Sequence, residues 1–238
     1  MRGVTRTFGE VDALAGVDLT VEPGQVLALL GHNGSGKTTL ARIAAGELAP
    51  TSGQVRVCGV DPHDPAEVVP ARRTTAYLPA APSFYDDLTV REHLELVGIG
   101  HGVADLDARI ETLLASFGLT HRADVLPETL STGMRQKAQL ATALIRHADL
   151  LLLDEPVANL DPEAQWLLAE RLAALAANGT AIVVITHQLG FLEGLAHEGV
   201  ALEDGALVAR GPVADLRRTI PSLRHPSERP APAVSHQP

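Results

Sequence analysis

The sequence is poor in several things, and each scarcity closes off a class of function. Cys58 is the only cysteine among 238 residues, so no intrachain disulfide can form and no Cys-based metal cluster can assemble. That fits a reducing compartment. Lysine is nearly as scarce, with Lys37 and Lys137 alone, and the net charge is -10. Such a balance argues against nucleic acid as a partner, because phosphate neutralisation needs clustered basic residues. Long apolar runs are missing too: Met1 to Phe8 holds no stretch of signal-peptide length, and nothing later approaches the roughly 18 to 20 apolar residues that span a bilayer. A membrane role would have to be exercised through a partner.

What is present is 45% hydrophobic and 20% charged residue content, enough to bury the core of one large domain or of a domain with a subdomain. Short runs that are apolar throughout, Val26 to Leu30, Leu150 to Leu153 and Ala181 to Ile185, predict buried strands of a mixed or parallel sheet. Helical patterns lie between them. One is expected over Thr38 to Leu48, and another over Asp161 to Ala177, opening on an N-cap aspartate with Pro162 in the first turn.

From about Asp87 to Arg146 the pattern is helical with no convincing strand. Thr89 and Glu92 have capping-box spacing, and Leu106, Ile110, Leu113, Leu114 and Phe117 form an apolar stripe stopped by Gly118. This predicts an α/β core with a helical subdomain, about 80–146, inserted in it. The domain is expected over 1–220. Residues 221–238 hold five of the 16 prolines and are expected to form a poorly ordered tail.

Gly31, His32, Asn33, Gly34, Ser35, Gly36, Lys37 and Thr38, followed by Thr39, fit the phosphate-loop pattern and stand between a predicted strand and a predicted helix. The glycines let backbone N–H groups converge on an anion, and the helix start adds its positive end. Lys37 is the candidate for the β- and γ-phosphates and the Thr38 hydroxyl for Mg²⁺; His32 is expected to contribute its backbone only. A second address is the apolar run Leu150 to Leu153, which stops in Asp154 and Glu155. Alone, it reads equally as a strand ending in acidic turn residues. Beside a phosphate loop, Asp154 becomes the candidate metal ligand and Glu155 the candidate general base.

Three further segments carry a family resemblance. Leu130-Ser131-Thr132-Gly133-Met134-Arg135-Gln136 resembles the ABC signature, Asn159-Leu160-Asp161-Pro162 resembles the D-loop, and Ile185-Thr186-His187 ends a strand where that family carries its switch histidine. In this order and spacing, from Val4 to Leu216, the chain resembles the ATP-binding subunits of ABC transporters, which have a P-loop NTPase fold. The resemblance implies an Mg²⁺-dependent ATPase that dimerises on ATP with a second nucleotide-binding subunit. It would drive a separate integral membrane permease from the cytoplasmic face. It implies roles for Phe8 against adenine, for His187 in hydrolysis, and for Ser131, Gly133 and Asp161 at ATP. Ser131 and the Gly133 backbone would reach the γ-phosphate held by the opposite subunit. Trp166 is read as packing.

The sequence departs from the family pattern in three places. Ala80 stands where the family carries a glutamine that touches metal and water, and an alanine side chain makes no hydrogen bond. Thr132 and Met134 replace signature residues, and Met134 resembles the subfamily that serves ABC-2 type exporters. The chain also starts closer to Phe8 than is usual, as if part of the first strand were missing. Ala80 motivates an alternative, a degenerate nucleotide-binding module that hydrolyses weakly, as a sensor or as one half of a heterodimer.

Overall fold

A computed structural model describes residues 1–196 and 198–219; the proline-rich stretch 221–238 lies outside the described residues. The chain runs β1 (Arg2–Phe8), β2 (Val11–Val17), β3 (Val26–Leu30), α1 (Lys37–Ala44), β4 (Ser52–Gln54), α2 (Val68–Thr74) and β5 (Thr75–Leu78). Helices α3 (Val90–Gly100), α4 (Leu106–Ser116) and α5 (Thr132–Leu144) follow, with short 3₁₀ turns at Thr120–Arg122 and Pro127–Thr129. Then come β6 (Leu150–Asp154), α6 (Pro162–Ala177), β7 (Ala181–Ile185), α7 (Leu189–Leu192), β8 (Glu198–Glu203), β9 (Ala206–Pro212) and α8 (Val213–Thr219).

Six strands form the main sheet in the order β5-β6-β7-β3-β8-β9, parallel except where β9 returns antiparallel to β8. Alternate residues of its central strands enter different cores. Ala28, Leu30, Leu151, Leu153, Ile182 and Val184 pack with the helices α3 to α6. Leu27, Leu29, Leu150, Leu152, Val183 and Ile185 pack instead with α1 and with the small antiparallel sheet β2-β1-β4. A sheet buried on both faces has no solvent side, and this is why its strands read as unbroken apolar runs.

The helices follow their end signals. Thr89 caps α3 in a complete capping box with Glu92, and Asp161 caps α6 by accepting from the Ala164 N–H at 2.9 Å. Helix α1 is shorter than the expected Thr38 to Leu48. Gly46 takes φ +74°, its N–H bonds the Ile43 carbonyl at 3.1 Å, and the Glu47 N–H bonds that of Arg42 at 2.9 Å. That is a Schellman ending. It stops the helix a turn before the apolar periodicity does. The stripe on α4 behaves as read, with Ile110, Leu113, Leu114 and Phe117 buried and Gly118 at φ +67°.

Candidate active site

The carboxyl ends of β3, β6 and β7 lie close together because β7 pairs with both of the others in parallel register. Everything projecting beyond those ends meets at one crevice. From β3 the chain turns through Gly31 to Gly36 and enters α1 at Lys37. The cap residue Gly36, at φ +103°, has no side chain to satisfy the first N–H groups of the helix, so these point outward as anion donors. Only glycine fits at two points of this turn. A Cβ on Gly31 would run into the Leu202 carbonyl of β8, and one on Gly36 into the Ala13 carbonyl of β2.

Lys37 is buried, and its Nζ donates to the carbonyls of Gly31 at 2.9 Å and His32 at 2.8 Å, folding the ammonium back over the loop. Burial pulls its pKa below the ordinary lysine value, opposed by the charges of Glu155 and Asp154. Thr38, next along α1, donates its hydroxyl to Asp154 Oδ2 at 2.6 Å. Burial raises the Asp154 carboxyl pKa, while the Thr38 hydrogen bond and then the charge of Lys37 pull it down. One hydroxyl and one carboxylate are hard oxygen donors, and their juxtaposition fits Mg²⁺, which uses few protein ligands and takes the rest from phosphate and water.

Glu155 is held unusually. It is a non-glycine residue at φ +49°, with its N–H bonded to the Ile185 carbonyl at 2.8 Å. Strained backbone of this kind persists where the surroundings over-determine it. Here it turns the carboxylate toward the end of β7. Glu155 Oε2 accepts from the His187 N–H at 3.4 Å, and Oε1 lies 3.5 Å from His187 Nε2.

A cavity of 400 Å³ gathers most of the residues singled out in the sequence: Asn33, Gly34, Gly36, Lys37, Thr38, Thr39, Asp154, Glu155 and His187 line it. Ala13 and Ala80 complete part of its wall. Ala80 therefore stands at the site itself, with no polar atom on its side chain to offer. Gly31, His32 and Ser35 serve from behind, through the two carbonyls that hold Lys37 and through the buried Ser35, whose carbonyl accepts from the Gly205 N–H at 3.1 Å. The His32 ring turns away, its Nε2 3.6 Å from Asp204. Phe8 ends β1 as a 45% exposed residue, the Arg6 guanidinium 4.4 Å over its ring, and does not line the cavity.

Ser131, Gly133 and Asp161 form a second constellation, away from the cavity lining. Ser131 caps α5, accepting from the Met134 N–H at 3.3 Å. Gly133 packs so closely on the Asn159 carbonyl that a Cβ would stand 2.7 Å from its oxygen. Lys137 Nζ bridges to Asp161 Oδ2 at 2.7 Å. The residue that ties this surface to the first is Gln136, 1% exposed, whose Nε2 donates to the Pro156 carbonyl at 3.1 Å. Sequence reasoning gave Gln136 no role, although a glutamine on the buried side of a helix must find a polar partner.

The model of the family described as ABC transporter matches residues 14–158, more than half of the chain. This chain belongs to the ABC transporter family, as its ATP-binding domain. It is 37% identical over 210 residues to the Nod factor export ATP-binding protein I of Paraburkholderia xenovorans, spanning 87% of this chain and 68% of that protein. Among solved structures it superposes on an ATP-binding subunit of an ABC transporter with TM-score 0.84 at 32% identity, covering 91% of this chain and 90% of the other. A dimeric ATP-binding cassette in a post-hydrolysis state, bound to ADP and phosphate, matches with TM-score 0.80 at 25% identity over 89% of this chain and 97% of its own. The fold is thus that of an ABC cassette, a P-loop NTPase, in a family that hydrolyses ATP. No helix among the described residues of this cassette is long and apolar enough to cross a membrane.

Proposed function

We propose that this cassette binds Mg-ATP, hydrolyses it within an ATP-closed dimer, and energises export through a separate membrane permease to which it docks at the cytoplasmic face. The observation that carries the reading is the meeting of Lys37, Thr38, Asp154, Glu155 and His187 in one cavity, with Thr38 and Asp154 2.6 Å apart. In it, the N–H groups of the α1 start and the Lys37 ammonium hold the β- and γ-phosphates. Thr38 and Asp154 would hold Mg²⁺, which would offset charge on the phosphoryl oxygens. Glu155 accepts a proton from water as the water oxygen attacks the γ-phosphorus. The bond from that phosphorus to the bridging oxygen breaks, and ADP and phosphate result. His187 steadies the Glu155 carboxylate from the end of β7. Ser131, Gly133 and Asp161, grouped away from this cavity, serve the ATP of a partner cassette. Phe8 reaches adenine from the end of β1. Met134 and the likeness to a Nod factor export ATP-binding protein support the export direction.

The experiment compares ATP turnover by the wild type and by Glu155→Gln. Loss of a positioned general base should lower turnover by about 10²- to 10⁴-fold and leave the variant trapped as an ATP-bound dimer by size-exclusion chromatography. Equal turnover would remove Glu155 from the role.

Ala80 in the cavity wall favours a second reading, a weakly hydrolysing module that senses ATP or fills one site of a heterodimer. Ala80→Gln separates the two. A several-fold rise in turnover supports the degenerate reading, and unchanged turnover supports the first.

A further inference from the structure

A second cavity, of 540 Å³, lies between α4, the C-terminal end of α5 and α6, and shares no lining residue with the nucleotide cavity. Three arginines line it, Arg109 on α4, Arg146 just beyond α5 and Arg171 on α6. Among the described residues none of the three forms an ion pair with a carboxylate. Each has neutral oxygens instead: Arg109 Nη2 donates to the Leu144 carbonyl at 3.3 Å and Arg171 Nη1 to Ser116 Oγ at 3.2 Å, while Arg146 donates through Nη1 to the carbonyls of Arg73 at 3.0 Å and His147 at 3.4 Å and through Nη2 to that of Thr75. Burial lowers the pKa of Arg146, and burial followed by repulsion from Arg109 lowers that of Arg171.

Arg109 is exposed, but Arg146 and Arg171 are half-buried without a carboxylate partner, which costs stability that a bound anion would offset. The gathering is the more unexpected in a chain with 29 acidic residues against 19 Lys and Arg. Asp105 is the one carboxylate among the described residues lining the cavity, and it is exposed. An adjoining cavity of 680 Å³ shares Arg109 and Arg146 and adds Arg73, so that a further guanidinium stands nearby. The rest of the first wall is partly apolar, from Leu113, Leu144, Leu151 and Leu175. Guanidinium forks match carboxylate and phosphate groups, and the volume suits a small molecule.

We propose that this cavity binds a small organic polyanion, carrying phosphate or carboxylate groups, which bridges α4 and α5 to α6 at a site separate from the nucleotide. The test is calorimetric titration of citrate and, separately, of pyrophosphate into the full chain, with the phosphate loop filled by Mg-ADP and ionic strength held constant. Saturable one-to-one binding of either anion is expected, weakened at least tenfold in the double variant Arg109→Gln, Arg171→Gln, whose affinity for ADP stays unchanged. Citrate alone identifies a carboxylate ligand, pyrophosphate alone a phosphorylated one, and both outcomes support the site. Absence of saturable binding to the wild type, or equal affinity in the double variant, overturns it. Should the double variant not fold, Arg109→Gln at its exposed position gives the same reading, weakening in support and an unchanged affinity against.

Discussion

Asp154 is 2% exposed, and opposing forces act on its carboxyl. Burial pushes the pKa above the ordinary 3.8, the Thr38 hydroxyl and Lys37 pull it down, and burial prevails. A carboxyl whose pKa is higher in the folded than in the unfolded state contributes most below the unfolded value, and stability falls as pH rises through the folded one. At neutral pH the ionised Asp154 therefore costs the nucleotide-free fold stability. Asp154→Asn should have a higher Tm than the wild type near pH 7 without nucleotide, with the gap closing as pH falls toward about 4. The same variant should lose Mg²⁺-dependent ATP binding. Thermal melts across that range check the first half and calorimetric titration of Mg-ATP the second; a gap independent of pH would count against it. The strained turn at Glu155 belongs to the same pattern, stability given up where the site needs a particular geometry.

Among the elements, α3 shows how far local signals reach. The Thr89 N–H donates to Glu92 Oε2 at 2.7 Å, and Thr89 Oγ1 accepts from the Glu92 N–H at 3.2 Å. Thr89→Ala should cost about 1 kcal/mol of stability, read as a lower urea midpoint with an unchanged slope. This cap was legible because its two residues are three apart in sequence. Helix α5 was legible only as part of a broadly helical region, and its tie to the Glu155–Pro156 turn was not legible at all. Gln136 meets Pro156 only after the chain has passed through β6, and no local pattern encodes that approach. Strand β4 was equally hidden. Its three residues are all exposed, and pairing with β1 rather than burial makes it a strand.

At the scale of the molecule, the two constellations on one chain suit a symmetric dimer in which each cassette completes the other's site. If Ser131 serves in trans, Lys37→Ala and Ser131→Arg should each be inactive alone, yet recover turnover when mixed. Half of an equimolar mixture is heterodimer, and each heterodimer keeps one intact composite site of two, so recovery should approach about a quarter of the wild-type rate. No recovery on mixing, with dimers present by light scattering, would place the signature in cis.

The sequence alone determined the phosphate loop, the carboxylates at the end of β6 and the three central strands. Each depends on contiguous residues: a turn that admits only glycine at two points, or a strand buried on both faces. Tertiary structure decided what distant segments make together. It set Thr38 against Asp154 across 116 positions of sequence, laid His187 along Glu155, and turned Ala80 into the cavity wall. It also left Phe8 half exposed under Arg6. Three arginines spread over 63 positions, from Arg109 to Arg171, came to face one cavity. Their charges became neighbours only through the packing of α4, α5 and α6, an approach that depends on the whole core and that no short stretch of chain specifies.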